Sequence, residues 1–317
     1  GVSATMASGV ILLEGGLMTL LGLPQHIGVQ FALLGLITLV YLYSTMQGMT
    51  QGIRVLSNLS VAISLVLLVA VFMLGPSQQI VHQMVASLPR YIEHFPSLSM
   101  GLAPYEQRDW LNVWTIKYWS WWVAWTPFVG LFVAKISRGR TIRALFIAVA
   151  LVPTLFSVLW FTTMGETALA LQERFGFMGD SLNWESIKVL QYQMYDLLLP
   201  GNPVLSWLAF GILFVFICNS VDSASLIMSS FTDDEHTENS VFKNTQAVQL
   251  FWGILFALLT LVLILLGAQF QQGQILTLVQ GVTQVTALPL TMILSGVFVM
   301  LVWVLVRERK ADSHSCE

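Results

Sequence analysis

The stretch WTIKYWSWWVAWTPF, from Trp114 to Phe128, holds five of the chain's eleven tryptophans within twelve residues. On a helix, positions three, four and seven residues apart share one face. The side chains that share a face in this way are those of Tyr118, Trp121, Trp122 and Trp125. We call these four residues the aromatic stripe.

Three explanations fit the aromatic stripe. In a membrane-surface belt, Trp and Tyr lie at headgroup level; this suits Trp114, but Trp125 lies about 16 Å further along a helix. Ordinary helix packing is a second explanation, although membrane helix contacts favour small residues. The third is a cage for a cation, because indole faces attract methylated ammonium groups. The residues alone leave all three open.

Pro127, directly after the stripe, predicts a broken helix of the kind that transporters use at mid-membrane.

The rest of the chain is as apolar as this stretch. Of its 317 residues, 56% are hydrophobic and 10% are charged, with a mean hydropathy of +0.75. Soluble domains carry about 25% charged residues, so a water-soluble globular fold is excluded. A net charge of -3 excludes a basic nucleic-acid-binding surface. Cys218 and Cys316 indicate neither a disulfide framework nor a zinc site.

We predict an all-α polytopic membrane protein, since a spanning helix needs about 20 apolar residues. Eight spans are predicted, at 1–22, 28–48, 55–75, 109–135, 142–166, 202–229, 246–268 and 278–306. Two long polar connections, 76–108 and 167–201, separate some of them, and the first predicts an amphipathic surface helix. Basic residues collect in cytoplasmic connections. The residues that place 136–143 and the C-terminus in the cytoplasm are Lys135, Arg138, Arg140, Arg143, Arg307, Arg309 and Lys310.

Two acidic residues, Glu14 and Asp222, fall within predicted spans, where ionisable groups are costly. For Asp222 we favour a structural role, accepting hydrogen bonds from Ser223, Ser225 or nearby backbone. For Glu14 we favour a position facing a polar gap. The sequence has no Ser-His-Asp, His-Glu-x-x-His or Cys-x-x-Cys pattern, which argues against an enzyme.

Several motifs resemble those of the betaine/choline/carnitine transporter family. The most specific is YWSWWVAWTPFVG at 118–130, followed by ISRGRTIR at 136–143. Residues 1–17 resemble the family's fifth span, and GIRVLS at 52–57 resembles its sixth–seventh connection. VPTLF at 152–156 resembles the ninth span, and NSVDSAS at 219–225 the tenth. The resemblance therefore covers essentially the whole chain.

The resemblance implies a twelve-span protein with the inverted-repeat bundle of amino-acid and neurotransmitter transporters, of which this chain would be spans five to twelve. Residues 1–75 would be the last three spans of the first repeat, and 76–108 the surface connection. Residues 109–306 would form the second repeat, with five spans, and 307–317 a cytoplasmic tail. Spans one to four, which complete the family's substrate cage, would precede the chain. Family members are commonly trimers in the cell (inner) membrane, so a homo-oligomer is expected.

Carried over by position, the resemblance implies a substrate site at Trp121, Trp122 and Trp125, with Tyr118 on the outer access path. Phe128 matches a ring associated with one sodium site, and Thr5 matches a hydroxyl at the first ion site. The matching positions of the other ion site are Phe216, Asn219 and Ser220.

Three positions depart from the family's pattern. Asn219 stands where Thr is usual, Val2 where a hydroxyl is frequent, and Lys117 where an aromatic residue is usual. The amide oxygen of Asn219 can still ligate a hard cation, whereas Val2 cannot ligate at all. These departures make sodium coupling a weaker expectation than in the family's sodium-coupled members.

The resemblance implies a secondary transporter for a quaternary ammonium or related onium zwitterion, working by alternating access. Glycine betaine, choline, carnitine and dimethylsulfoniopropionate are the expected substrates. Whether Na⁺ or H⁺ drives transport stays open, and no metal ion other than Na⁺ is expected. Two alternatives stay open: an exchanger of the same family, and an osmotic or ligand sensor on the same fold. The expected partners are this small onium substrate and membrane lipid, with no nucleic acid and no cofactor.

Overall fold

The computed structural model describes residues 1–47, 52–100, 116, 118–178, 184–232, 245–269, 285, 287–304 and 306–307. Every regular element in these ranges is helical, as the sequence predicts. The helices are α1 (Val2–Leu21), α2 (Ile27–Gln47), α3 (Arg54–Leu74), α4 (Ser77–Met100), α5 (Trp119–Ile136), α6 (Ile142–Phe146), α7 (Val152–Phe175), α8 (Trp184–Leu198), α9 (Val204–Thr232), α10 (Thr245–Gln269) and α11 (Ala287–Val304). A π-helical turn, Ile147–Leu151, joins α6 to α7.

Seven of the described helical segments are long and apolar enough to cross a membrane. They correspond to seven of the eight predicted spans. The remaining prediction, 109–135, coincides with α5, and most of its first ten residues lie outside the described ranges. The helix predicted within 76–108 is observed as α4, which lies against α3 and α7; its place on the membrane surface stays a prediction.

The span predicted at 142–166 is longer than expected. The helical run extends from Ile142 to Phe175 and ends at Gly176. Gly176 adopts the left-handed conformation at φ +62° and donates its N–H to the Gln172 carbonyl at 2.8 Å, which is a common way to close a helix. The connection predicted at 167–201 is correspondingly shorter, and it contains α8.

The chain divides into two compact units. One comprises Gly1, 102–130 and 277–317 and carries the aromatic stripe and α11; the other comprises 2–101 and 131–276. Within the second unit α9 is the central helix, lying against α1, α2, α3, α8 and α10. Hydroxyl groups add hydrogen bonds between its helices: Tyr41 donates to the Gly253 carbonyl at 2.6 Å, and Thr260 to the Ser3 carbonyl at 3.2 Å.

The connecting helix α8 contacts α1 at a pair of glycines. A Cβ added at Gly15 would lie 2.5 Å from the carbonyl oxygen of Lys188, and one added at Gly16 would lie 2.5 Å from Tyr192 Oη. Real Cβ atoms do not approach so closely, so only glycine lets the two helices meet here. Lys188 and Tyr192 are both buried in this contact region.

We expect Gly15→Val to displace α8 from α1, because its Cβ would meet backbone rather than a movable side chain. Overpacking of this kind costs about 1–3 kcal/mol. The readouts are the melting temperature of the detergent-solubilised protein and the rate of proteolysis between α7 and α9. Gly35→Val is the matched control, since a Cβ at Gly35 on α2 meets nothing within 4 Å. Equal melting curves for the two variants would contradict this packing.

Candidate functional site

The aromatic stripe lies along the first turns of α5, with Tyr118 immediately before the helix begins. The rings of Tyr118 and Trp122 meet edge to face, with centroids 6.0 Å apart and planes at 72°. Trp125 meets Phe128 in the same way, at 5.6 Å and 87°. Four residues assigned from sequence are thus paired by the helix itself, because they are separated by three or four positions.

The stripe offers indole surface to its surroundings. Trp122 is 55% exposed and Tyr118 is 50% exposed, while Trp121 and Trp125 are partly buried. In an edge-to-face pair one ring covers a single face of the other, so this contact leaves the remaining ring faces uncovered, and the face is the part that attracts a cation. Trp114 and Lys117 lie outside the described residues.

The break predicted at Pro127 is wrong. The helix continues through Pro127 from Trp119 to Ile136. Proline removes one backbone N–H and crowds the carbonyl four residues earlier, which weakens a helix without necessarily ending it. One residue earlier, the Thr126 hydroxyl donates to the Trp122 carbonyl at 3.0 Å. This bond belongs to the turn that holds the stripe, and it fastens Thr126 to the backbone of Trp122.

The basic cluster after α5 lies on a tight turn. Gly139 has φ +79°, and the Arg140 N–H donates to the Ser137 carbonyl at 3.0 Å. Thr141 then caps α6 by accepting from the Ala144 N–H at 3.2 Å. The guanidinium-bearing residues Arg138, Arg140 and Arg143 are all exposed. The turn and the first residues of α6 therefore present three positive charges to their surroundings.

The residues matched to the two ion sites lie in both units. Phe128 follows the stripe, whereas Thr5 lies partly buried on α1. The remaining three share one face of α9, because Phe216, Asn219 and Ser220 are spaced by three and four residues. Helices α1 and α9 approach closely at Gly9, where an added Cβ would overlap Ile217.

Asn219 has a partner that the sequence did not reveal. Its Oδ1 accepts a hydrogen bond from Ser57 Oγ of α3 at 3.1 Å. An amide oxygen has two lone pairs, so the contact with Ser57 and the ligation of a cation are compatible. Phe216 is 43% exposed and lines a cavity between α3, α7, α8 and α9.

Asp222 accepts hydrogen bonds, but its donors are not those predicted. Ser44 Oγ and Thr45 Oγ1 of α2 both donate to its carboxylate, the second at 2.7 Å. Ser225, by contrast, donates to the Val221 carbonyl of its own helix at 2.8 Å. The predicted donors are wrong because buried Asp222 points across to the end of α2, where its donors lie 178 and 177 positions away in sequence. Adjacent hydroxyls at the end of an apolar span were the available signal.

Glu14 is buried in contact with polar groups, in agreement with the predicted polar gap. One carboxylate oxygen accepts from Gln30 Nε2 at 2.8 Å, and the other from the His26 backbone N–H at 3.2 Å. Both donors lie at the start of α2, so Glu14 fastens the connection between α1 and α2. Within the described residues, no group of three His, Cys, Asp or Glu side chains could hold a metal ion.

Comparison with known proteins gives a consistent result. A sequence profile described as BCCT, betaine/carnitine/choline family transporter, matches residues 1–312. The glycine betaine transporter OpuD of Bacillus subtilis is 32% identical over 312 residues, which are 98% of this chain and 58% of that protein. The ectoine/hydroxyectoine transporter of Virgibacillus pantothenticus is 33% identical over 93% of this chain and 56% of its own length. The osmo-dependent choline transporter BetT2 of Acinetobacter baylyi is 31% identical, with 93% and 42% covered. The chain thus spans about half the length of these relatives.

Proposed function

Because this chain belongs to the betaine/carnitine/choline transporter family, a family of transporters and not of enzymes, we propose that its protein takes up a quaternary ammonium compound or a related onium zwitterion across the cell membrane. Glycine betaine, choline, carnitine and dimethylsulfoniopropionate form the proposed substrate class, and one relative extends it to ectoine. The observation that carries this proposal is the aromatic stripe, whose indoles include the exposed Trp122.

The proposed site works by the ring quadrupole of indole. A methylated ammonium has no strong hydrogen-bond donor, so a carboxylate gives it no directional contact. Each aromatic face attracts it by about 0.5–2 kcal/mol, with the larger values in dry surroundings. Trp121, Trp122 and Trp125 would hold the cationic head, and Tyr118 would line the path to it. Alternating access would then expose this site to each side of the membrane in turn.

Sodium is the proposed coupling ion, and the residues proposed to take part in its binding are Thr5, Phe128, Phe216, Asn219 and Ser220. The oxygen of Asn219 supports this assignment, since hard cations prefer oxygen ligands. One observation favours a sodium-independent exchanger as a second candidate: the side chain of Val2 has no ligating atom at a position where the family often carries a hydroxyl. A sensor on the same fold is a third function with the same substrate site.

The test is uptake of radiolabelled glycine betaine by the whole protein in proteoliposomes, with and without an inward sodium gradient. We expect uptake that needs the gradient and that choline, carnitine or dimethylsulfoniopropionate reduces by competition. Asn219→Ala should raise the sodium concentration needed for half-maximal uptake about ten-fold, whereas Asn202→Ala, in the connection before α9, should leave it unchanged. Uptake that ignores sodium but requires internal substrate would establish the exchanger. Failure of every onium compound to enter would overturn the substrate class.

The orientation and assembly proposed for the protein follow from the same fold. Exposed Arg138, Arg140 and Arg143 support a cytoplasmic position for the turn between α5 and α6, which also places the C-terminus in the cytoplasm. The inverted repeat and a homotrimer are the corresponding proposals for fold and assembly. Cysteine labelling of Ser137→Cys in sealed cells, on a chain that also carries Cys316→Ser, tests the orientation: an impermeant reagent should label position 137 only after the membrane is opened.

A further inference from the structure

A second aromatic cavity lies in the unit that does not contain the stripe. It has a volume of about 300 Å³ and is lined by residues of α3, α7, α8 and α9, which is within the usual size range of small-molecule sites. Its aromatic lining comes from Phe156, Trp160, Phe161, Tyr195 and Phe216. Phe156 and Trp160 are successive rings on α7, with centroids 6.0 Å apart and planes at 31°.

The described lining of this cavity has no side chain that is ionised at neutral pH. A carboxylate ligand would find no cationic partner there, and a metal ion would find no carboxylate. Tyr195 is the one titratable lining group, and burial raises its pKa above the usual value, so its hydroxyl keeps its proton. A cation bound here would therefore be attracted by ring faces alone.

Neutral polar groups lie among the rings. Gln191 and Tyr195 come from α8, and Ser157 comes from α7. The Tyr195 hydroxyl is directed at Met164 Sδ at 4.0 Å, a weak acceptor that a better one can replace. The cavity thus combines aromatic walls for a cationic head with donors for a short polar tail. A purely apolar ligand would leave these donors without an acceptor.

We propose that this cavity is a second binding site for small quaternary ammonium compounds, separate from the aromatic stripe. One wall is α8, which belongs to a connection and not to a candidate span. A ligand here would tie α8 to α3, α7 and α9. The proposal does not require the stripe to bind anything.

The test is equilibrium binding of radiolabelled choline to the whole protein in detergent. Trp122→Leu removes the principal indole of the stripe, and a saturable component should remain in that variant. Adding Trp160→Leu should weaken this component about ten-fold or more, while adding Trp160→Phe, which keeps a ring face, should preserve most of it. The matched control is Trp207→Leu, which removes an indole of α9 that does not line the cavity. The uncharged carbon isostere of choline should not compete.

Each outcome decides the proposal. It is wrong if Trp122→Leu leaves no saturable binding, if Trp160→Leu and Trp207→Leu give the same isotherm, or if the uncharged isostere competes as well as choline. If the Trp160 variant unfolds, the same binding measurement can be made on Phe156→Leu, which removes a neighbouring ring of the cavity wall. Failure of the proposed transport function would look different: uptake would be absent while the component sensitive to Trp160 persisted.

Discussion

Replacing Trp122 with leucine is expected to reduce uptake of glycine betaine at low concentration by about thirty-fold. Leucine keeps the position apolar and helical but has no ring face, so the change removes one cation–π contact, worth about 2 kcal/mol when desolvated. More than half of the Trp122 surface is open, which makes the indole available to a ligand. The measurement is initial uptake rate against concentration in proteoliposomes, normalised to inserted protein.

The matched control for this prediction is Trp119→Leu. Trp119 lies on the same helix, is 64% exposed and does not belong to the stripe, so its replacement should change uptake less than two-fold. Trp122→Phe should recover most of the activity because it restores a π face. A similar loss in Trp119→Leu and Trp122→Leu would show that exposed indoles of α5 act by anchoring the helix in the membrane, and the cage would be rejected.

Asp222→Ala is expected to lower the free energy of unfolding by about 3 kcal/mol. The reason is that two buried hydroxyls of α2 lose their shared acceptor, and hydrogen bonds to a charged group contribute about 1.5–3 kcal/mol each. The two losses are unequal. The Thr45 hydroxyl has a second acceptor, the Tyr41 carbonyl at 2.9 Å, to which it can donate when Asp222 is absent. The Ser44 hydroxyl donates its hydrogen bond to the Asp222 carboxylate. Most of the loss should therefore come from Ser44.

A double-mutant cycle measures this difference. Thermal unfolding of Asp222→Ala, Ser44→Ala and the double variant should give a coupling energy of at least about 1 kcal/mol. The same cycle with Thr45→Val should give a smaller one. Asp222→Asn, which keeps one acceptor oxygen, should be milder than Asp222→Ala. Additive effects in both cycles would mean that Asp222 does not fasten α2 to α9.

The spans and the aromatic stripe could be predicted because both depend on local periodicity. A run of apolar residues of sufficient length fixes a spanning helix wherever it occurs, and spacings of three and four place Tyr118 beside Trp122 in any helix. The errors were local as well. Pro127 predicted a break that a continuous helix absorbed, and the true end of the span beginning at Ile142 depended on Gly176.

Contacts between helices were decided by the tertiary structure alone. Ser44 and Asp222 are separated by 178 positions, and Ser57 and Asn219 by 162; no pattern in the sequence joins them. The second cavity is likewise absent from any single segment, since its walls come from four helices. Sequence alone therefore determined a polytopic helical membrane protein with an aromatic stripe, because the bilayer and the helix period act on each segment separately. Which polar side chains meet was left to packing, because it depends on the faces that distant helices present to one another.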